Sequence, residues 1–197
     1  MDNRTITEQG HAALPGIITT LAQAFQDDPS FIWMLPDPKV RRARLPAFFK
    51  LVASEDLAAG KALHSPDIEV VTLWRAPGRQ KDMPLGTLRT NLTFLSIFRS
   101  TTPRAAALGK SLAAHHPSGR HWHLRYAGVS PEAQGKGWGG LALRAGIDMA
   151  AVDGLPIYLE TAKDSNVQLY RRFGFDVIEE WDVPGGGPHF WSMMRNG

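Results

Sequence analysis

Residues 121–152 join a strand, a turn carrying four glycines and an alanine- and leucine-rich helix, and that succession leaves few folds open to the chain. The turn reads Val129-Ser130-Pro131-Glu132-Ala133-Gln134-Gly135-Lys136-Gly137-Trp138-Gly139-Gly140. Glycine has no Cβ, so the backbone there can approach a ligand closely and adopt positive φ. The start of the following helix adds unpaired amides and a partial positive charge, and together these suit a phosphate or pyrophosphate. A turn that bound nothing would gain little from four glycines beside a helix start, because each weakens the helix.

The hydrophobic spacing organises the rest of the chain around that unit. A short strand is expected at residues 4–7. Leu14, Ile17, Ile18, Leu21, Ala22 and Phe25 recur at helical spacing, and Asp27-Asp28-Pro29 ends that helix. Residues 31–36 (Phe-Ile-Trp-Met-Leu-Pro) read as an apolar connector. A helix follows over 39–58, starting late or kinked because Pro46 lies inside its pattern. Strands are expected at 61–64 and 68–75, the second β-branched and apolar enough to be buried. Residues 85–115 read as one or two helices broken at Thr101-Thr102-Pro103. After the helix at 137–152 come a strand at 157–160, a helix at 165–173, and strands at 175–183 and 189–194. Helices first, then alternation, then a terminal pair of strands predicts an α/β (α+β) fold with one mixed sheet flanked by helices. At 197 residues and 43% hydrophobic, the chain fits a single domain over 1–197.

Composition excludes several function classes. There is no cysteine, hence no disulfide, thiolate metal site or cysteine nucleophile. No run of eighteen apolar residues spans a membrane, and the polar first ten residues do not read as a secretory leader. A cytoplasmic protein is expected. The net charge of +3 is scattered, without the basic stripe and interleaved aromatics of a nucleic-acid binder, so no nucleic-acid partner is expected.

Two other readings of the motifs compete. Gly135, Gly137 and Gly140 match the dinucleotide fingerprint G-x-G-x-x-G, with Glu160 placed like a ribose-binding acid. In that fingerprint, however, the first glycine closes the strand, whereas here Ser130 to Gln134 intervene. Too little chain also remains to build a doubly wound sheet. His115-His116 and His121-x-His123 present imidazoles that could ligate a metal. No HExxH pattern or acidic cluster accompanies them, and no metal is expected.

Gln134-Gly135-Lys136-Gly137-Trp138-Gly139 resembles the Q/R-x-x-G-x-G/A signature of the GNAT N-acetyltransferase superfamily. Leu159-Glu160-Thr161, Asn166 and Tyr170-Arg171-Arg172-Phe173-Gly174-Phe175 are similar to that superfamily's second characteristic stretch. Residues 128–137, Tyr158 to Thr161 and Gly187-Pro188 resemble the puromycin N-acetyltransferase-like subgroup. The resemblance is strong from Trp122 onward, weaker before it and poor over 85–117.

The resemblance implies a sheet whose two central strands, 121–129 and 157–160, splay apart to admit the pantetheine arm of acetyl-CoA. The backbones of Ala127 and Val129 would pair with that arm, and the amides of Gln134, Gly135, Lys136, Gly137, Trp138, Gly139 and Gly140 would hold the pyrophosphate. Lys136 would add charge, and Trp138 would cover the cofactor or pack under the helix. Asn166 would bind pantetheine or, with Asp164 and Ser165, cap a helix. The chemistry implied is aminolysis of a thioester, by direct attack in a ternary complex since no cysteine is present. The Val129 amide would stabilise the oxyanion, and Tyr170 would protonate the departing thiolate. His123, on one face with His121 and Arg125, would take the amine's proton, unless a water relay does so. A non-catalytic acyl-CoA sensor is the alternative, against which the tyrosine at 170 argues. Residues 120–197 form the cofactor half, and the N-terminal half with 85–117 forms the acceptor side for a small-molecule amine. Asp27, Asp28, Trp33 and the turn Pro184-Gly185-Gly186-Gly187-Pro188 are candidate pocket walls, although the two aspartates read better as plain helix-ending residues. The terminal strands leave a homodimer open.

Overall fold

A computed structural model describes residues 4–8, 11–79 and 88–197. The expected mixed sheet flanked by helices forms. Strand β1 (Thr7–Glu8) precedes helices α1 (Leu14–Ala24), α2 (Pro29–Met34) and α3 (Pro38–Ala59). Strands β2 (Gly60–His64) and β3 (Val70–Arg75) lead to α4 (Leu88–Phe98) and α5 (Thr102–Ala114). Then follow β4 (Trp122–Val129), α6 (Trp138–Ala151), β5 (Ile157–Thr161), α7 (Asp164–Arg171), β6 (Asp176–Asp182) and β7 (His189–Arg195). Residues 85–87 of the expected helical stretch lie outside the described residues.

The connector expected at 31–36 is instead part of α2. Asp28-Pro29 ends one helix and begins the next: Asp28 accepts from the Ser30 amide at 2.9 Å, and Pro29 occupies the first turn, where it has no partner to lose. The same pair recurs at Asp37-Pro38, where Asp37 accepts from the Lys39 and Val40 amides at 2.8 and 3.2 Å. That cap starts α3 ahead of the expected position, and the helix runs unbroken through Pro46.

The sheet order is β1-β2-β3-β4-β5-β7-β6. Neighbours pair antiparallel except β4 and β5, which run parallel and pair only at Trp122↔Ile157 and His123↔Tyr158 before separating. A mostly antiparallel sheet of this order is not the doubly wound parallel sheet that the dinucleotide reading requires. Helices α6 and α7 cover one face, with Leu143, Ile147 and Val167 packed on Trp74, Leu124 and Leu159. Helices α1 to α5 cover the other, where Ile17, Leu21, Phe49 and Val52 pack on Val71 and Leu73. Strand β3 is buried along its whole length, as its apolar run requires. Two close fits hold these layers. A Cβ on Gly146 would sit 2.0 Å from Trp74 Cζ2, so only glycine lets α6 lie on that ring. On the other face, fully buried Asp56 of α3 accepts from Arg75 Nε at 2.6 Å and Arg125 Nη1 at 2.8 Å, tying α3 to β3 and β4.

Candidate active site

The site grows out of the splay between β4 and β5. Register between β3 and β4 slips at Arg125, because Tyr126 faces Leu73 and Leu124 faces Trp74. Such a bulge bends the strand and re-aims its side chains. Arg125 and Tyr126 consequently both turn towards the α1–α5 side, Arg125 to Asp56 and Tyr126 to the Phe49 ring at 5.4 Å. His121 and His123 contact Tyr158 on that same side, so the expected common face of His121, His123 and Arg125 is found.

Beyond the bulge, the Ser130 amide donates to Glu69 O at 2.8 Å. Alternation along the ladder then turns the Gly128 amide towards β3 and those of Ala127 and Val129 into the splay. The Val129 carbonyl accepts from Gln134 Nε2 at 3.3 Å. One cleft here is lined by Ala127, Val129, Gln134, Gly139, Asn166 and Tyr170, six of the residues singled out from sequence. Gly135, Lys136, Gly137, Trp138 and Gly140 do not line it but build the turn at its end. Gly137 sits at φ +83°, immediately before α6, and no side chain caps that helix. The amides of Trp138, Gly139 and Gly140 are therefore offered outward rather than to a cap. Gly135, at φ +75°, has nothing within 4 Å of the position a Cβ would take. Trp138 is buried against Val70, Ala133 and Ala142. Arg4 lies 5.4 Å over its ring and donates to Lys136 O, a contact that sequence reasoning did not find. Amides aimed into a gap, an open glycine turn and an uncapped helix start form a donor set that fits a pantetheine chain ending in a pyrophosphate.

A second cavity of about 160 Å3 lies on the α1–α5 side. Phe25, Asp28, Ala127, Asn166 and Tyr170 line both spaces, so the two meet at these residues. Asp27, Trp33 and residues 184–188 line neither. Asn166 donates to Thr161 Oγ1 at 3.2 Å, and the cap position of α7 is Lys163, without a side-chain cap bond. Asp164, Ser165 and Asn166 thus lie within the first turn rather than capping it. Burial pushes the Tyr170 phenol up to about 12, with the nearby Asp28 carboxylate adding to the effect. Burial likewise raises the Asp28 carboxyl, against the hydrogen bonds from Ser30.

The histidines expected as a group divide. His115 stacks on Trp181 at 4.5 Å and bonds Glu179 at 2.7 Å. His116, His121 and His123 turn inward. His123 Nε2 lies 2.7 Å from Glu160 Oε2, and His116 Nδ1 lies 3.7 Å from Glu160 Oε1. His116 and His121 approach at 3.1 Å through their Nε2 atoms. Burial alone would raise the Glu160 carboxyl, but the facing His123 and His116 outweigh it and hold the group well below the usual carboxylate range. An ionised carboxylate accepts only, so His123 donates to it through Nε2–H. Burial, with His116 beside it, lowers His121 to about 4. No group of three or more residues placed to hold a metal occurs among the described residues. The partner role of Glu160 was missed because it depends on a contact across 37 residues of sequence.

The comparisons agree with this architecture. An uncharacterised N-acetyltransferase of Schizosaccharomyces pombe is 26% identical over 167 residues, covering 79% of this chain and 68% of that protein. A Corynebacterium glutamicum structure, described as histone acetyltransferase HPA2 and related acetyltransferase, superposes with a TM-score of 0.76 at 29% identity, covering 98% of this chain and 96% of that one. Arylalkylamine N-acetyltransferase 2 of Aedes aegypti shares the fold at 13% identity and a TM-score of 0.65, each chain covered to 99%. The model of the acetyltransferase (GNAT) family matches residues 64–175, more than half of the chain, from the last residue of β2 through the glycine turn to the residue before β6, and the protein belongs to that family.

Proposed function

We propose that the protein transfers the acetyl group of acetyl-CoA to an amine of a small molecule by direct attack in a ternary complex. One observation carries this reading: the cleft that fits pantetheine and the cavity on the α1–α5 side meet at Phe25, Asp28, Ala127, Asn166 and Tyr170. Acetyl-CoA, when bound, supplies the thioester carbon. The amides of Ala127 and Val129 hold the pantetheine arm in the splay, and the residues of the turn from Gln134 to Gly140 hold the pyrophosphate. His123 Nδ1 accepts the proton of the amine, with the imidazole oriented by Glu160 and the resulting cation balanced by it. The new N–C bond forms as the C–S bond breaks, and the Val129 amide donates to the carbonyl oxygen while it carries charge. Tyr170 donates to the departing sulfur. At about 12, its phenol stays neutral at working pH. Full transfer to a thiolate near ~8.5 is uphill, so hydrogen bonding is its main contribution. The motif residues 128–137 with Tyr158 to Thr161 support placement near the puromycin N-acetyltransferase-like subgroup.

Calorimetric titration with acetyl-CoA, and separately with NADH, tests the reading. Saturable binding of acetyl-CoA alone, followed by amine-dependent CoA release that Tyr170→Phe diminishes, is expected. Binding of NADH without acetyl-CoA would overturn it. Binding of acetyl-CoA without turnover of any amine would leave a sensor.

A further inference from the structure

The acceptor cavity has a chemical polarity of its own. Its walls away from the cofactor cleft come from α2 to α5 and include Phe31, Phe48, Phe94, Phe98, Leu108 and Leu112. Phe94 and Phe98 lie 4.7 Å apart, and Phe48 and Phe98 meet edge to face at 6.0 Å and 76°. Ring edges and faces in this arrangement favour another ring. The charged groups facing the cavity are Asp28, His123, Arg125 and Glu160. Asp28 lies at the junction with the cofactor cleft, and His123 with Glu160 stands on the β4–β5 wall. Among the described residues no acidic side chain lines the α4–α5 wall, and the Arg125 guanidinium at the cavity is already paired with Asp56. A second ammonium on the acceptor, placed against that wall, would therefore be desolvated without an anionic partner. The volume of about 160 Å3 is close to that of an engineered apolar cavity, about 150 Å3, that holds one benzene.

We propose that the acceptor is a primary amine on a short linker from a single aromatic or similarly sized apolar ring, without a second charge. This rests on the acetyl-transfer reading above and names its substrate class. The nitrogen lies at the Asp28–Tyr170 junction beside His123, and the ring lies among Phe48, Phe94 and Phe98.

CoA release is the assay, and a thiol reagent reads it without background because the chain has no cysteine. The probes are 2-phenylethylamine, n-propylamine, 1,4-diaminobutane and a lysine-containing peptide. The expected result is a kcat/KM for 2-phenylethylamine at least about ten-fold above each of the others, a discrimination that an apolar pocket can supply. Leu112→Glu, on the partly buried wall of α5, is expected to shift the ratio of 2-phenylethylamine to 1,4-diaminobutane towards the diamine by about ten-fold or more. A ratio is insensitive to partial misfolding. Preference for the diamine or the peptide, or a ratio unmoved by Leu112→Glu, overturns the proposal. If no amine turns over, titration with 2-phenylethylamine decides: saturable binding weakened by Leu112→Glu upholds the pocket, and no binding overturns it. Failure of acetyl-CoA to bind while 2-phenylethylamine still does would sink the transfer reading alone.

Discussion

Replacing Glu160 by Gln keeps the side-chain volume but removes the charge that faces His123 and His116. The His123–Glu160 contact is 2.7 Å between side chains only 9% and 8% exposed, so solvent screens it little. Breaking one side of such a buried pair costs about 3–5 kcal/mol. Gln still offers an oxygen to Nε2–H, which places the expected loss near the lower figure, about 3 kcal/mol. For a chain of this size that corresponds to a fall of about 6–12 °C in Tm. The pH dependence supplies the sign. The folded carboxyl is held below its unfolded value, so its stabilisation is fully present above about 4.3 and is lost as pH falls through the folded value. Urea unfolding of both proteins at pH 7 and at stepped values below 4.5 measures the gap, which is expected to be full at pH 7 and to narrow on acidification. In parallel, kcat/KM is expected to fall about 10²-fold with acetyl-CoA affinity unchanged, because His123, the base proposed above, loses its orienting group. A gap below about 1 kcal/mol at pH 7, or one that stays constant on acidification, would refute the ionised Glu160 described above.

Three further outcomes follow from the same geometry. Tyr170→Phe is expected to lower kcat roughly ten-fold or more while leaving acetyl-CoA affinity within a few-fold, and spectrophotometric titration should show its phenol ionising near 12. Loss of that absorbance change near 10 on substitution would contradict the buried environment. His121 is lowered to about 4 by burial, so the unfolded chain binds the extra proton between about 6.5 and 4, and this residue costs stability as pH falls through that window. His121→Phe is expected to flatten the acid side of the stability profile there, and an unchanged slope would count against it. Gly146→Ala places a Cβ 2.0 Å from a fully buried Trp74 ring and is expected to destabilise by about 1–3 kcal/mol in chemical denaturation, whereas a change under about 0.5 kcal/mol would show that α6 can shift freely.

Local signals carried much of the fold. The turn at residues 134–140 was legible because glycines at positive φ and a helix start are properties of neighbouring residues. The buried strand β3 was legible as a continuous apolar run. The two Asp-Pro pairs were readable as helix starts, yet one was read only as a stop, since a proline serves either role until the cap bond is seen. Nothing local announced the bulge at Arg125, because it is a property of how β4 pairs with β3 and not of either strand alone.

The sequence by itself determined the class of fold, the place of the glycine turn and the candidate residues Val129, Asn166, Tyr170 and His123, because each rests on periodicity or on a motif within a short window. Only the tertiary structure decided which partners those residues have. Glu160 meets His123 and His116, Asp28 comes beside Tyr170, and Phe48 meets Phe98 through contacts between elements far apart in the chain. Charges and rings separated in this way become neighbours through packing, and the energetics of burial, pairing and desolvation that make the site exist only once packing has excluded water.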